Sequence, residues 1–508
     1  MLLTPFSGSR LCIAVVLLGA SVLQGCAVFS GTRLPDEATL RAAVPAPERE
    51  FRAAWVATVA NIDWPSAPGL AVWQQQAELR TILDRAAAMG LNAIVLQVRP
   101  TADAFYDSPL EPWSWYLSGK QGTAPSPPYD PLAFAIEEAH RRGLELHAWF
   151  NPYRALHPTA LDSVSALHVW RRLPDVTVPY GELVWMDPGS QAATEQSLAV
   201  MLDVVRRYDV DGIHLDDYFY PYPVTGDNGQ LVPFPDSLSF SGDAADRLPL
   251  DDWRRRNVDT FIRTLYEEVK AVKPWVKVGI SPFGIWRPGY PASITGFDQY
   301  EGLFADARKW LREGWIDYFS PQLYWAMDSS GQSYPKLLDW WIGENVHGRH
   351  IWPGNYTSRV ILDGNAHWDP AEIVRQIRHT RSTPGATGNV HFSMRALMPA
   401  SHGMGRAVAQ EYASPALIPA SPWLDDARPE APLVSVTSTH VAIQPQGDVQ
   451  ARWWSIHWFD GRRWDFDVIP AWQQRLSVPA GVDPEYLAVR AVSRTGIASL
   501  PSLLRIRD

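Results

Sequence analysis

Short apolar runs recur along the chain, at Ala53 to Val59, Leu91 to Val98, Leu144 to Phe150, Gly212 to Leu215, Val276 to Ile280, Ile316 to Leu323, Ile351 to Asn355 and Val390 to Met394. Stretches with the i, i+3, i+4 rhythm of an amphipathic helix lie between them. Leu79, Ile82, Leu83, Ala86 and Ala87 keep that rhythm, as do Leu198, Met201, Leu202 and Val205, and Val258, Phe261, Ile262, Leu265 and Val269. "WDPAEIVRQI" carries a complete helix start: Asp369 as N-cap, Pro370 at the first helical position and Glu372 at the third. Eight strands alternating with helices predict an α/β chain folded as a (β/α)8 TIM barrel over residues 48–412. The competing arrangement, an open doubly wound sheet, lacks the Gly-rich phosphate fingerprint that would support it.

Residues of a barrel strand alternate between the interior and the helix layer. In the third run Leu144, Leu146 and Ala148 take one parity and Glu145, His147, Trp149 and Asn151 the other. In the second, Ile94, Leu96 and Val98 oppose Gln97 and Arg99. In "VDGIHLDDYFYP", residues 210–221, Ile213 and Leu215 belong to the helix layer, which turns Gly212, His214 and Asp216 inward and leaves Asp217 off register.

Barrel chemistry collects at the C-terminal ends of strands. Those ends carry Asn61 and Asp63; Gln97, Arg99 and Asp103; Asn151, Tyr153 and Arg154; Asp216, Asp217 and Tyr218; Ser281 and Phe283; Gln322, Tyr324 and Trp325; Asn355 and Tyr356; and Ser393 and Arg395. Amides and acids hydrogen-bond sugar hydroxyl and acetamido groups, aromatic faces stack on pyranose rings, and a pair of carboxyl groups can run glycosidic acid/base chemistry. Asp216 is the expected catalytic carboxyl group. Its partner is sought among Asp217 and Asp187, ahead of Asp63, Asp328 and Glu111. The expected substrate-binding residues are Asn61, Asp63, Gln97, Arg99, Asp103, Trp113, Asn151, Tyr153, Arg154, His214, Tyr218, Gln322, Tyr324, Trp325 and Asn355. Several have a plainer use: Arg99 as a bridge between carboxylates, Asp63 and Asp103 as loop caps, and His214 and His147 as satisfied interior residues.

The Pro- and Ala-rich stretch 413–432 reads as a linker. After it, "LVSVTSTHVAIQPQ", "ARWWSIHWFD", "WDFDVIP", "RLSVP" and "YLAVRAVSRTGIASLPS" predict short alternating strands over 433–508, a fibronectin-III-like β-sandwich. Core packing is the expected use of its Trp453, Trp454 and Trp458, with glycan stacking the alternative.

Composition narrows the partners. The 508 residues carry a net charge of −10 without a Lys/Arg-rich run, which argues against nucleic acid. The 24 Trp and 18 Tyr cluster in loop-like segments such as "DSPLEPWSWY", "NIDWP" and "PQLYWAMD", as sugar-stacking residues would. At the start of the chain Arg10 precedes an apolar run from Leu11 to Leu23, followed by "LQGC". That segment resembles a bacterial lipoprotein signal peptide over residues 1–25, too short to span a bilayer. The resemblance implies lipidation of Cys26, a tether over 26–47, and sorting to the outer membrane, facing the periplasm, because Ala27 is not acidic. The cysteines are Cys12 and Cys26, so the mature chain would hold no internal disulfide.

"AAWVATVANIDWPS", "LNAIVLQVRPTADAFYDSPLEPWSWYLSGKQG", "HAWFNPYR", "WMDPG", "VDGIHLDDYFYP", "VGISPFGIWRPG" and "IDYFSPQLYW" resemble the glycosyl hydrolase-like 10 family over roughly residues 48–400. The resemblance implies a TIM-barrel glycosidase without a cofactor or metal, acting on peptidoglycan glycan strands stripped of their peptides. Strand four also resembles the D-x-x-D-x-D-x-E frame of chitinase-type barrels. Tyr218 stands at the glutamate position and His214 replaces an aspartate, which weighs against substrate-assisted chemistry. Two other readings remain: a metal-dependent deacetylase or amidase using His147, His214 and Asp216, and a lipoprotein that binds glycan without cutting it.

Overall fold

The computed structural model describes residues 37–506, apart from 161–163, 244–247, 363, 365–366, 400–401, 438–439 and 479–483. The signal segment and Cys26 lie outside the described residues.

Eight parallel strands form the barrel: β1 (Phe51–Val56), β2 (Ala93–Arg99), β3 (Glu145–Phe150), β4 (Gly212–Leu215), β5 (Lys277–Ile280), β6 (Tyr318–Phe319), β7 in two halves (His350–Ile351 and Gly354–Asn355) and β8 (Gly388–His391). Hydrogen-bonded neighbours run from the first half of β7 through β6, β5, β4, β3, β2, β1 and β8 to its second half. Both ends of that order belong to one short segment, so the sheet closes on itself across Trp352 and Pro353. Pro353 has no N–H to give to the ladder, which accounts for the break between the halves. Helices α1 (Val72–Ala88), α2 (Pro131–Arg141), α3 (Gln191–Arg207), α4 (Leu250–Val272), α5 (Ala307–Glu313), α6 (Tyr334–Glu344), α7 (Pro370–Ser382) and α8 (Met404–Glu411) follow the strands in turn. Asp369 caps α7 by accepting from the Ala371 N–H, with Pro370 at the first position.

The alternation read from the sequence sorts the strands into two cores. Ile94, Leu96, Leu146, Ala148, Ile213 and Leu215 face the helices. Phe51, Ala53, Trp55, Val95, Trp149, Tyr318 and Trp352 fill the interior. A hydrogen-bonded column threads that interior. Trp55 Nε1 donates to His214 Nε2 (3.0 Å); an indole only donates, so the His214 proton sits on Nδ1, 2.9 Å from the Tyr318 hydroxyl. Tyr318 in turn donates to His147 Nδ1 (2.9 Å), and His147 Nε2 reaches Glu145 (2.9 Å), which Lys277 neutralises at 2.8 Å. Two glycines make room for these rings. A Cβ at Gly279 would lie 1.9 Å from the Tyr318 ring, and one at Gly212 would lie 2.7 Å from His147.

The C-terminal strands form a sandwich of two antiparallel sheets. Leu433–Val436, His440–Gln444 and Arg475–Ser477 make one; Trp464–Pro470, Trp453–Phe459, Tyr486–Val492 and Ser502–Arg505 make the other. Trp454 and Trp458 lie in its core. Trp453 and Val492 pack instead with Leu417 and Ile418 against the barrel interior. The stretch 413–432 therefore crosses the base of the barrel in close contact, with Glu50 N donating to Leu417 O (2.9 Å). Asp211, buried just before β4, faces Arg452 at 3.6 Å and Arg494 at 3.9 Å from the sandwich. The sandwich thus covers the N-terminal face of the barrel, where such folds keep stability rather than chemistry. At the other end of the sandwich, Leu40 of the helix Glu37–Ala43 packs on Phe459 and Tyr486. Among the described residues no helix is long and apolar enough to cross a membrane.

Candidate active site

The C-terminal mouth is organised around the end of β4, where Asp216 and Asp217 are each 5% exposed. Asp216 Oδ2 accepts from Trp149 Nε1 (3.1 Å) and Asn151 Nδ2 (2.5 Å), both at the end of β3. The Asn151 carboxamide is itself fixed: its Oδ1 accepts from Gln97 Nε2 (2.7 Å) and Arg154 Nη2 (2.5 Å). Gln97 Oε1 accepts from the Thr58 and Val59 N–H groups at the end of β1 (3.0 and 2.8 Å). A relay of amides across three strand ends therefore sets the carboxyl plane of Asp216.

Burial, the adjoining Asp217 charge second, pushes Asp216 up to about 7, opposed by Arg154 and the Asn151 amide. Its Oδ2 already accepts two donors, so the proton of the neutral acid belongs on Oδ1, whose one backbone donor, Tyr218 N, is 3.3 Å away. Burial raises Asp217 as well, against hydrogen bonds from Tyr222 and Gln322 and the charge of Arg154. Donors aimed at a carboxylate favour its ionised form. Of the pair, Asp216 is therefore the better proton carrier and Asp217 the better anion.

Aromatic faces surround the pair. Tyr324 stacks on Tyr356 with ring centres 4.8 Å apart, and its hydroxyl is pushed well above the usual range by burial and then by the Asp217 charge. Phe392 lies 5.9 Å from Tyr324. Tyr218 and Tyr222 meet edge to face at 5.8 Å, and Arg154 lies over the Tyr218 ring at 4.9 Å. Phe283 joins Tyr222 to Trp325, at 6.5 and 5.5 Å. The arrangement suits a ring-shaped, hydroxyl-rich ligand: flat apolar faces around a protonated acid and an anion.

Of the residues expected at the mouth, the structure brings together Asp216, Asp217, Gln97, Asn151, Arg154, Tyr218, Gln322, Tyr324 and Trp325. Others serve elsewhere. Asp187, expected as a catalytic carboxylate, accepts from Gly189 N (2.8 Å) and from the Ser239 hydroxyl, and so pins a loop. Arg99 is fully buried and forms a two-pronged ion pair with Glu111 (2.6 and 2.8 Å), which removes both from the chemistry. Asn61 Nδ2 donates to the Pro65 and Tyr116 carbonyls (each 2.9 Å). Asp63 accepts from Ala57 N, Ser393 Oγ and Arg395 N (2.7 Å each), stitching the first and last loops, and burial pushes it up to about 6. Asp103 accepts from the Thr101 hydroxyl (3.0 Å) and the Gln121 amide (3.2 Å). Trp113 is half-buried against the helix-layer core. Asp328, on the surface, pairs with Arg375 at 2.8 Å.

Three expected positions are corrected by strand geometry. His214 lies below the mouth, its ring filling the barrel interior beside Trp55 and Tyr318, and burial holds its imidazole well below the usual range. Tyr153 sits past the end of β3, where strand alternation no longer holds, and turns outward onto Phe261 and Thr194 of the helix layer. Asn355 follows the break in β7; Gly354 takes the inward place beside Trp55, and Asn355 points out to Gln376 (2.9 Å) and accepts from Asn389 (2.8 Å). Trp149, Tyr222 and Phe392 are the site residues the sequence reading did not single out. Trp149 shares the parity of His147 and Asn151, a signal present in "HAWFN", whereas nothing in "DYFYPYP" distinguishes Tyr222 from its neighbours.

A family model described as glycosyl hydrolase-like 10 matches residues 50–366. A Bacillus subtilis (strain 168) protein named glycosyl hydrolase YngK is 42% identical over 402 residues, covering 77% of each chain. Glycosyl hydrolase DigH of Escherichia coli (strain K12) is 33% identical over 313 residues, which span 57% of this chain and 69% of that one. Among solved structures, the PgaB (BpsB) glycoside hydrolase domain from Bordetella bronchiseptica is 14% identical, covers 72% of this chain and 99% of its own, and has a TM-score of 0.45.

Proposed function

The chain belongs to the glycosyl hydrolase-like 10 family and is a glycoside hydrolase, and from that premise we propose that it cuts the glycan strands of bacterial cell-wall peptidoglycan, with Asp216 as the acid. The observation that carries the assignment is the buried Asp216–Asp217 pair, in which one group keeps a proton near neutral pH and the other accepts two side-chain donors. Hydrolysis consumes one water. The bond from C1 to the glycosidic oxygen breaks as Asp216 Oδ1 gives that oxygen its proton; the hydroxyl of water ends on C1, and the remaining water proton returns to the carboxyl pair. Asp217 faces the charge that develops on the sugar ring, and Tyr324, Tyr218 and Trp325 hold the ring faces.

The choice of wall glycan rests on the N-terminal "LQGC", which resembles a lipobox and would tether the enzyme by Cys26 to the outer membrane, facing the periplasm. An aromatic mouth with amide donors suits N-acetylated sugars, and the net charge of −10 disfavours nucleic acid. Peptide-stripped strands are the favoured form because bare rings can lie against these faces. A metal-dependent amidase or deacetylase would need His147, His214 and Asp216 to converge on one ion. Here both imidazoles are committed to the interior column, while Asp216 faces the mouth.

The test is release of reducing-end sugars from purified sacculi, intact and amidase-stripped, with and without chelator. Faster release from stripped strands, unaffected by chelator, is expected. Release of acetate, or activity lost with chelator and restored by metal, would overturn the assignment.

A further inference from the structure

Where the sandwich meets the base of the barrel there is a cavity of about 440 Å3, lined by His140 from α2 and by Gln450, Arg452, Trp453, Trp472 and Gln474 from the sandwich. That volume lies within the range of small-ligand sites. The cavity sits on the N-terminal face of the barrel, opposite the catalytic mouth, and takes no part in the chemistry described above.

Its lining is unlike a packing gap between two domains. Among the described tryptophans only Trp73 and Trp472 stand largely exposed, and Trp472, at 59%, stands at this cavity. Trp453 beneath it is buried, its indole N–H directed at the Gly143 carbonyl (3.4 Å), so the wall it contributes is fixed. The side-chain amides of Gln450 and Gln474 make no hydrogen bond to the described residues and keep their full donor and acceptor capacity. Arg452 meets Asp211 only at 3.6 Å, too far for a direct hydrogen bond, which leaves guanidinium N–H groups to spare. Exposed indole, free carboxamides and an underused guanidinium together match a ligand with one apolar face and a rim of hydroxyl or acetamido groups, which is the surface of a pyranose.

We propose that this cavity is an accessory saccharide-binding site, in which Trp472 stacks on a ring of the same class of glycan that the mouth cuts and Gln450, Gln474 and Arg452 bind its polar rim. The assignment rests on the glycan reading of the mouth for its ligand class, but not on Asp216. Its use follows from position. A polymer held at the far face stays near the mouth after each cut, which raises the effective concentration of the next bond.

The experiment is equilibrium binding of an N-acetylglucosamine hexasaccharide to the full-length protein carrying Asp216→Asn, so that ligand is not consumed. Two sites per chain are expected, falling to one on adding Trp472→Ala and weakened at least tenfold at the same site by Gln474→Ala. Trp472 is exposed, so its replacement should leave the thermal midpoint unchanged, and that control separates lost binding from lost folding. A single site per chain, abolished by Tyr324→Ala and indifferent to Trp472→Ala, would overturn the accessory site while leaving the mouth reading intact. No binding at either place would overturn both.

Discussion

Asp216 is both the expected proton donor and a local liability. Its carboxyl group titrates near 7 in the fold against 3.8 in an unfolded chain, because burial penalises its charge. The protonated form is the one the fold prefers, so this group's contribution is intact below about pH 4 and is lost as pH rises through about 7. Asp63, raised to about 6 by burial, acts with the same sign. Asp216→Asn carries no charge to bury; it should lower turnover by roughly 10² to 10⁴-fold, the range for loss of a general acid, yet raise the thermal midpoint by a few degrees at pH 8 and by almost nothing at pH 4. Scanning calorimetry at the two pH values checks this, and a variant less stable at pH 8 would show that the carboxylate is held rather than strained. Arg99→Ala is expected to act on the fold. It strands the buried Glu111 carboxylate, which costs about 3 to 5 kcal/mol, measurable as a lower urea midpoint in chains that keep their KM once folded.

Strand ends, rather than single residues, build the site, and this decides what the sequence could reveal. Alternation along β2, β3 and β4 sorted interior from helix-facing residues because β3 and β4 pair regularly and β2 does so up to Gln97. It therefore singled out Asp216 over Asp217 as the inward carboxyl group, and Gln97 and Asn151 as inward amides. It failed where regularity stops: at Arg99, past the bulge that follows Gln97 in β2, at Tyr153, three residues past β3, and at Asn355, after Pro353 interrupts β7. Partners on long loops were also illegible, since nothing local to Arg99 announces Glu111, or to Asp187 announces Ser239. The relay from Thr58 through Gln97 and Asn151 gives a prediction of its own. Asn151→Ala removes a donor that lowers the pKa of Asp216, so the alkaline limb of the pH–activity curve should move to higher pH while kcat falls. A limb that stays in place would mean that Asn151 does not act through Asp216.

At the scale of the whole molecule, chemistry and stability occupy opposite faces of the barrel. The sandwich and the stretch 413–432 cover the base, and their Leu417, Ile418, Trp453 and Val492 complete the interior core that begins with Phe51 and Trp352. Alternating strands in the sequence made the sandwich legible, but not its docking, which depends on Asp211 meeting Arg452 and Arg494 across more than 200 residues. Asp211 also accepts from His140 and the Leu146 N–H (2.8 and 2.9 Å). Although burial alone would raise it, His140, Arg452 and Arg494 hold this carboxyl group below the usual range. Its stabilisation is therefore present at neutral pH and lost on acidification. Asp211→Ala should cost about 3 to 5 kcal/mol at pH 7, a loss that begins to shrink only below about pH 4, where the unfolded carboxyl group takes up its proton and the folded one does not, as denaturation curves between pH 7 and pH 3 would show. The central claim concerns the opposite face, and the most direct measurement is the pH dependence of kcat/KM for release of reducing ends from amidase-stripped wall glycan by the full-length protein, beside Asp216→Asn. Hydrolysis that declines as pH rises through about 7, and is roughly 10² to 10⁴-fold slower in the Asn variant below that pH, is the predicted result. A variant that retains the rate, or a native profile flat across pH 6 to 8, would contradict Asp216 as the acid of this enzyme.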